Sequence, residues 1–200
     1  MKKVNFAHKP VLIGDKVILR PFEQKDYDVM FEILEEFELR KLTGSASSDD
    51  EANTPSNQEE KEKTLKWYST RNEQSDRLDL AVVHKENGQI IGEVVFNEYD
   101  EEAGNVNFRV LLSNSGCDKG LGTEAVSIFI KYGMEQLQLH RISLEVYSFN
   151  PRAERVYQKV GFKLEGIKRE EFLYNDEYID TKMYGLLQSD YIEMNQMNIY

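Results

Sequence analysis

The stretch SGCDKGLGTEAVSIFIKYGM (residues 115–134) sets two glycines, Gly120 and Gly122, directly ahead of an amphipathic run. Val126, Phe129, Ile130, Gly133 and, just beyond, Leu137 share one face of the helix this run predicts. The first N–H groups of a helix lack partners, and its dipole favours negative charge there. Glycines at that point let backbone approach a ligand closely, so the loop suits an anion, phosphate first of all. Taken alone, the same glycines need do no more than cap the helix. Gly120, Gly122 and Ala125 also imitate a dinucleotide fingerprint, with Glu145 about 20 residues on as the ribose-binding acid. Context argues against it: residues 113–119 separate the first glycine from the preceding strand, and Glu145 falls inside a strand. No Gly-Lys-Ser or Gly-Lys-Thr follows, so the Walker loop is excluded.

Working outward, NVNFRVLL before the loop and RISLEV after the helix read as strands joined by a parallel crossover. Upstream, LDLAVVH and QIIGEVVF flank KENG, a hairpin signal, and DEEAGN turns the chain into NVNFRVLL, giving a three-stranded meander. Earlier still, the strand KVILRP leads to EQKDYDVMFEILEEFELRKL, read as one helix. A polar loop spans residues 44–55, and a capping box of Ser56 with Glu59 starts a second helix through Trp67 and Tyr68. Downstream, NPRAERVYQKVG predicts a short helix with Asn150 as N-cap, Pro151 at its first position and Gly161 as C-cap. FKLEGIKREEFLY and EYIDTKMYGLL form a closing strand pair around Asn175-Asp176, and a polar tail or short helix ends the chain. The order βααβββαβαββ is an α+β fold: a mixed, mostly antiparallel sheet of about seven strands with one parallel crossover, flanked by about four helices.

Two hundred residues, 40% hydrophobic and 30% charged, suit one domain with its core over residues 10–190. Neither a signal-peptide h-region nor an apolar run of membrane-spanning length is present, so a cytoplasmic, membrane-free protein is expected. Cys117 is the single cysteine, and His8, His84 and His140 are scattered, so no metal site is expected. A formal charge of −11 at pH 7 argues against nucleic acid and favours cationic partners.

Together, CDKGLGTEA, LHRISLEVYSFNPRAERVYQKVGFKLEG and the strand order resemble the GNAT family of acyl-CoA-dependent N-acetyltransferases. Within it they are similar to the branch of the ribosomal-protein N-terminal acetyltransferases (RimJ/RimL type) and related polyamine acetyltransferases. The resemblance implies a three-layer fold that binds acetyl-CoA. It places the cofactor pyrophosphate on the loop Cys117, Asp118, Lys119, Gly120, Leu121, Gly122 and Thr123. Cys117 stands where the family usually has a basic or amide residue, while Lys119 and Thr123 add a charge and a hydroxyl. Leu111 and Leu112 fall where two parallel strands splay and backbone pairs with the pantetheine arm. Asn150 matches the family asparagine at that arm, and Tyr157 the tyrosine beside the thioester sulfur. Without the resemblance, Asn150 is simply an N-cap and Tyr157 a packed helix residue. Glu93, Asn107 and Arg109 are the nearest groups for the amine proton.

The implied reaction is attack of a neutral primary amine on the thioester in a ternary complex. A backbone N–H on a bulged strand holds the oxyanion, Tyr157 supplies the proton to sulfur, and Cys117 plays no covalent part. Neutralising an α-amine at pH 7 costs about 1 kcal/mol and an alkyl amine about 4.6 kcal/mol, which favours a peptide N-terminus. Acidic stretches near residues 49–62 and 169–180 keep a polyamine or aminoglycoside open as acceptor. A homodimer is left open, and the rival from another class is a non-catalytic acyl-CoA-binding sensor.

Overall fold

The computed structural model describes residues 4–117 and 119–197. Its strands are β1 (Leu12–Ile13), β2 (Val17–Arg20), β3 (Leu78–His84), β4 (Ile90–Asp100), β5 (Asn105–Leu112), β6 (Arg141–Tyr147), β7 (Lys163–Tyr174) and β8 (Glu177–Leu187). Its helices are α1 (Asp26–Leu34), α2 (Phe37–Leu42), α3 (Asp49–Asn53), α4 (Gln58–Ser69), α5 (Leu121–Glu135), α6 (Pro151–Val160) and α7 (Gln188–Met197). The strands form one sheet in the order β1-β2-β3-β4-β5-β6-β8-β7, antiparallel except for the β5–β6 pair. No helix among the described residues is long and apolar enough to cross a membrane.

The expected architecture holds, with eight strands and seven α-helices among the described residues in place of about seven and about four. The two-residue β1 was unread, α3 forms inside the polar loop, and the tail is helical as α7. The run expected as a single first helix is two. Glu35 turns its carboxylate to Ser56 N and Oγ at 2.8 and 2.7 Å, and Glu36, extended at φ −61 and ψ 126, accepts from Asn114 N at 2.7 Å. These tertiary bonds break a helix whose apolar spacing is uninterrupted. The capping box lies one residue late, on Asn57 and Glu60. Helix α5 ends before Leu137, and Leu139 beyond it enters the core. The β7–β8 turn does fall on Asn175 and Asp176, at φ 48 and 62, as a primed hairpin turn requires.

Strand alternation divides the sheet into two faces. Leu80, Val94 and Val110 lie across from one another, as do Leu78, Phe96 and Phe108, and all six turn toward α5 and α6. There they join the main core with Ala125, Val126, Phe129, Ile130, Tyr157 and Val160. On the opposite face stand the rows Ala81, Glu93, Leu111 and Asp79, Val95, Arg109. Helices α1, α2 and α4 cover part of that face through Met30, Ile33, Leu39 and Tyr68.

Candidate active site

Strands β5 and β6 pair only at their N-terminal ends, from Asn105 with Arg141 to Asn107 with Ser143. Beyond that point β5 continues against β4 and β6 against β8, so residues 108–112 and 144–147 diverge. Ser143 stitches the apex, its hydroxyl meeting Val106 O at 3.2 Å and Asn105 Oδ1 at 3.3 Å. The divergence opens a groove of about 720 Å³ that passes through the sheet. Phe108, Val110, Leu112, Val126, Asn150, Ala153, Val156 and Tyr157 line it on the α5/α6 face; Glu93, Asn107, Arg109, Leu111, Glu145 and Tyr147 line it on the other.

The ladder alternation decides which backbone groups face the opening. Ser113 N donates to Ile91 O at 2.8 Å, and the Leu111 carbonyl lies against Gly92, so Leu111 turns its backbone to β4. Val110 and Leu112 turn theirs to the open side. Leu112 is therefore placed as expected, whereas Leu111 contributes its side chain on the opposite face. β5 is in regular register from Asn107 to Leu112; the bulge lies in β4, where Ile91 is the extra residue opposite Val82 and Val83. The expectation of a bulged strand at the oxyanion named no strand, and this bulge falls on the strand that carries Glu93.

At the open end, Gly120 sits at φ 78 as the N-cap of α5, a left-handed conformation that suits glycine. The first intrahelical bond is Glu124 N to Gly120 O at 3.1 Å, leaving the N–H groups of Leu121, Gly122 and Thr123 without helical partners. Gly120, Gly122, Thr123 and Cys117 line the groove, Cys117 donating its thiol to Ser113 O at 3.3 Å. A Cβ on Gly122 would stand 2.6 Å from Leu112 Cδ1, in space the groove uses. The expected Lys119 contact falls elsewhere, and Leu121 is left with its backbone N–H alone. The Leu121 side chain is buried in the main core, and Lys119 reaches back to Ser115 O at 3.2 Å beside a separate small depression with Lys16 and Lys85. Asp118 lies outside the described residues.

Asn150 caps α6 as expected, its Oδ1 accepting from Ala153 N at 3.1 Å, and it lines the groove as well. Pro151 at the first position and Gly161 at φ 107 complete the helix. Tyr157, 6% exposed, meets Phe108 edge-on at 6.4 Å, at the apex where β5 leaves β6. Burial raises the Tyr157 hydroxyl well above the ordinary phenol range, so it keeps its proton at neutral pH. Sequence reading missed the flank of α6 beside these residues, where Arg152, Arg155 and Lys159 line the groove. Their spacing of three and four was visible, but a basic helix face ordinarily signifies only solvent.

On the opposite face Glu93 is distinctive. Burial, then the Asp79 charge, push its carboxyl up to about 7, while Tyr68, Arg109 and Arg77 act in the opposite direction. Its Oε2 is shielded from solvent and has no hydrogen-bond partner among the described residues. Asn107, expected beside it as a proton carrier, donates Nδ2 to Asn97 Oδ1 at 2.9 Å. An amide has no basic site at this pH, so Asn107 shapes the apex and carries no proton. The groove thus joins an anion-ready helix terminus and a protonated tyrosine on one face to a near-neutral carboxyl on the other.

Such a site belongs to enzymes that bring an anionic carrier and a second substrate together through a sheet. Residues 16–163 match the model of the acetyltransferase (GNAT) domain, and the chain belongs to that family. It is an acyl-CoA-dependent N-acetyltransferase that acts on amines, with acetyl-CoA as acetyl donor. The chain is 26% identical over 180 residues to an uncharacterized N-acetyltransferase, p20, of Bacillus licheniformis, covering 90% of this chain and 97% of the relative. It is 30% identical over 115 residues to the spermidine N(1)-acetyltransferase of Vibrio cholerae, across 58% of this chain and 66% of that one. Among solved structures, the Vibrio cholerae spermidine N-acetyltransferase in complex with CoA and spermine superposes with a TM-score of 0.75 at 22% identity, covering 90% and 99% of the two chains. A Bacillus anthracis GNAT-family acetyltransferase gives 0.74 at 21% identity over the same shares. The two structures attest the fold.

Proposed function

We propose that the protein acetylates a small polycationic primary amine of the polyamine class, by direct attack of the amine on acetyl-CoA in a ternary complex. The observation that carries this reading is the through-sheet groove with Glu93 on one face and Tyr157 on the other. The free N–H groups of Leu121, Gly122 and Thr123 hold the pyrophosphate, and the open backbone edge at Val110 and Leu112 aligns the pantetheine arm. When bound, acetyl-CoA supplies an activated acyl group. Everything else falls to the chain.

Glu93 takes the amine proton at its carboxyl, and burial makes it a stronger base than an exposed glutamate. Tyr157 holds a proton at Oη and presents it to the departing sulfur. Cys117 has no covalent role. Glu98, on the groove lining with Glu93, favours a cationic acceptor, in line with the spermidine acetyltransferase relatives. A second reading, a peptide α-amine as in the ribosomal-protein N-terminal branch, is favoured by one observation. A base near 7 is better matched to an α-amine near 7.7 than to an alkyl amine near 10.4. Mass-spectrometric detection of acetyl transfer to spermidine, spermine and peptides with free N-termini decides between them. Acetylated polyamine with untouched peptides is the expected result; the reverse selects the second reading, and transfer to neither removes both.

A further inference from the structure

A buried charged cluster lies behind Glu93. Asp79, 1% exposed, is held by Arg77 through three contacts of 2.6 to 3.1 Å. Arg71, 5% exposed, lies 3.5 Å over the Trp67 ring and donates Nε to Trp67 O at 2.9 Å, and Arg77 approaches the same ring at 5.0 Å. Lys9 closes the outer side, donating to Gln74 O and Arg77 O at 2.7 and 2.6 Å. From α4, Tyr68, 2% exposed, presents its hydroxyl to the Glu93 carboxyl. Strand register sets Asp79 on the same sheet face as Glu93, one strand over and two residues along from its partner Ala81. A buried carboxyl oxygen left without a partner is costly. Glu93 Oε2 is such an oxygen, and Glu93 lines the groove.

We propose that Tyr68 and Asp79 are positioning residues for Glu93: Tyr68 orients its carboxyl toward the acceptor, and Asp79, fixed by Arg77 on the same sheet face, backs it from the interior. The inference rests on the reading of Glu93 as the base. The charged and titratable groups facing Glu93 are Tyr68 from α4, Arg71 from the turn after it, Arg77 and Asp79 at β3, and Arg109 from β5. Tyr68, donating to the carboxylate, stabilises the charged form; Asp79 destabilises it. Removing the two groups therefore has opposite consequences, which a merely structural role does not give.

The test follows the Glu93 carboxyl by NMR in protein labelled with 13C-carboxyl glutamate, its signal assigned by its loss in Glu93→Gln. Tyr68→Phe removes only a hydroxyl and keeps the ring packed. The midpoint of Glu93 is expected to rise by about half a pH unit or more. Asp79→Asn is expected to lower it, and if that variant does not fold, the Tyr68→Phe titration decides alone. A Tyr68→Phe midpoint that stays in place or falls overturns the proposal. Turnover of spermidine, or of a peptide α-amine if spermidine is not acetylated, separates the two layers. Full turnover by Glu93→Gln removes the base reading and this inference with it. Lost turnover in Glu93→Gln with an unmoved Tyr68→Phe midpoint removes the positioning role only.

Discussion

Tyr157 and Glu93 are both partly defined by what burial does to a proton, and burial acts on them to different ends. In Tyr157 it disfavours the phenolate, so the hydroxyl remains a donor. Tyr157→Phe keeps the edge-on contact with Phe108 and removes that donor alone. Acetyl-CoA affinity, measured by calorimetry, should be nearly unchanged, while kcat and kcat/KM fall together by about 10²–10⁴-fold. In Glu93 burial favours the neutral acid, which has a cost in stability. A carboxyl raised from 4.5 to about 7 binds a proton more tightly folded than unfolded, so its contribution to stability is fully present below about 4.5 and is lost as pH rises through about 7. Glu93→Gln should lose that slope and gain on the wild type above pH 7, by about 1 kcal/mol or more, in thermal melts at paired pH values. The sequence names Glu93 among several polar residues on strands. It does not single it out, because Asp79 and Tyr68 reach it only through strand pairing and the docking of α4.

Among the elements, α6 was almost wholly legible, and the reason is local. Its N-cap, its proline and its terminal glycine are satisfied within the helix's own span, so tertiary context has little to override. The long first helix was misread for the opposite reason: Glu35 and Glu36 bond to residues 56 and 114, and no periodicity records that. The groove flank of α6 was visible but unread. Arg152, Arg155 and Lys159 stand out against a net charge of −11, and a cofactor carrying several phosphates is what they can serve. Arg155→Gln with Lys159→Gln should weaken CoA binding several-fold at low salt and flatten its salt dependence, measured by calorimetry. A pair of substitutions that leaves both quantities unchanged would return these side chains to the role of a solvated face.

For the whole molecule, the central feature is one sheet breached, among the described residues, where β5 and β6 part. The breach follows from a parallel pair only three residues long, after which β5 is committed to β4 and β6 to β8. The glycine loop, the crossover and the tyrosine helix were readable in the sequence, and they form the α5/α6 side of the groove. The opposite side was not, since it is assembled from α2, β4, β5 and β6, elements far apart along the chain. In the proposed reaction chemistry is shared across this breach, with Glu93 receiving the proton on the acceptor side. Single-turnover acetyl transfer by Glu93→Gln, at pH values on either side of about 7 and with acetyl-CoA saturating, tests it most directly. The expected result is a rate reduced at least about 100-fold, with the wild-type rise through pH 7 abolished and acetyl-CoA affinity preserved. A Glu93→Gln enzyme that transfers acetyl at the wild-type rate, with the same pH profile, would contradict it.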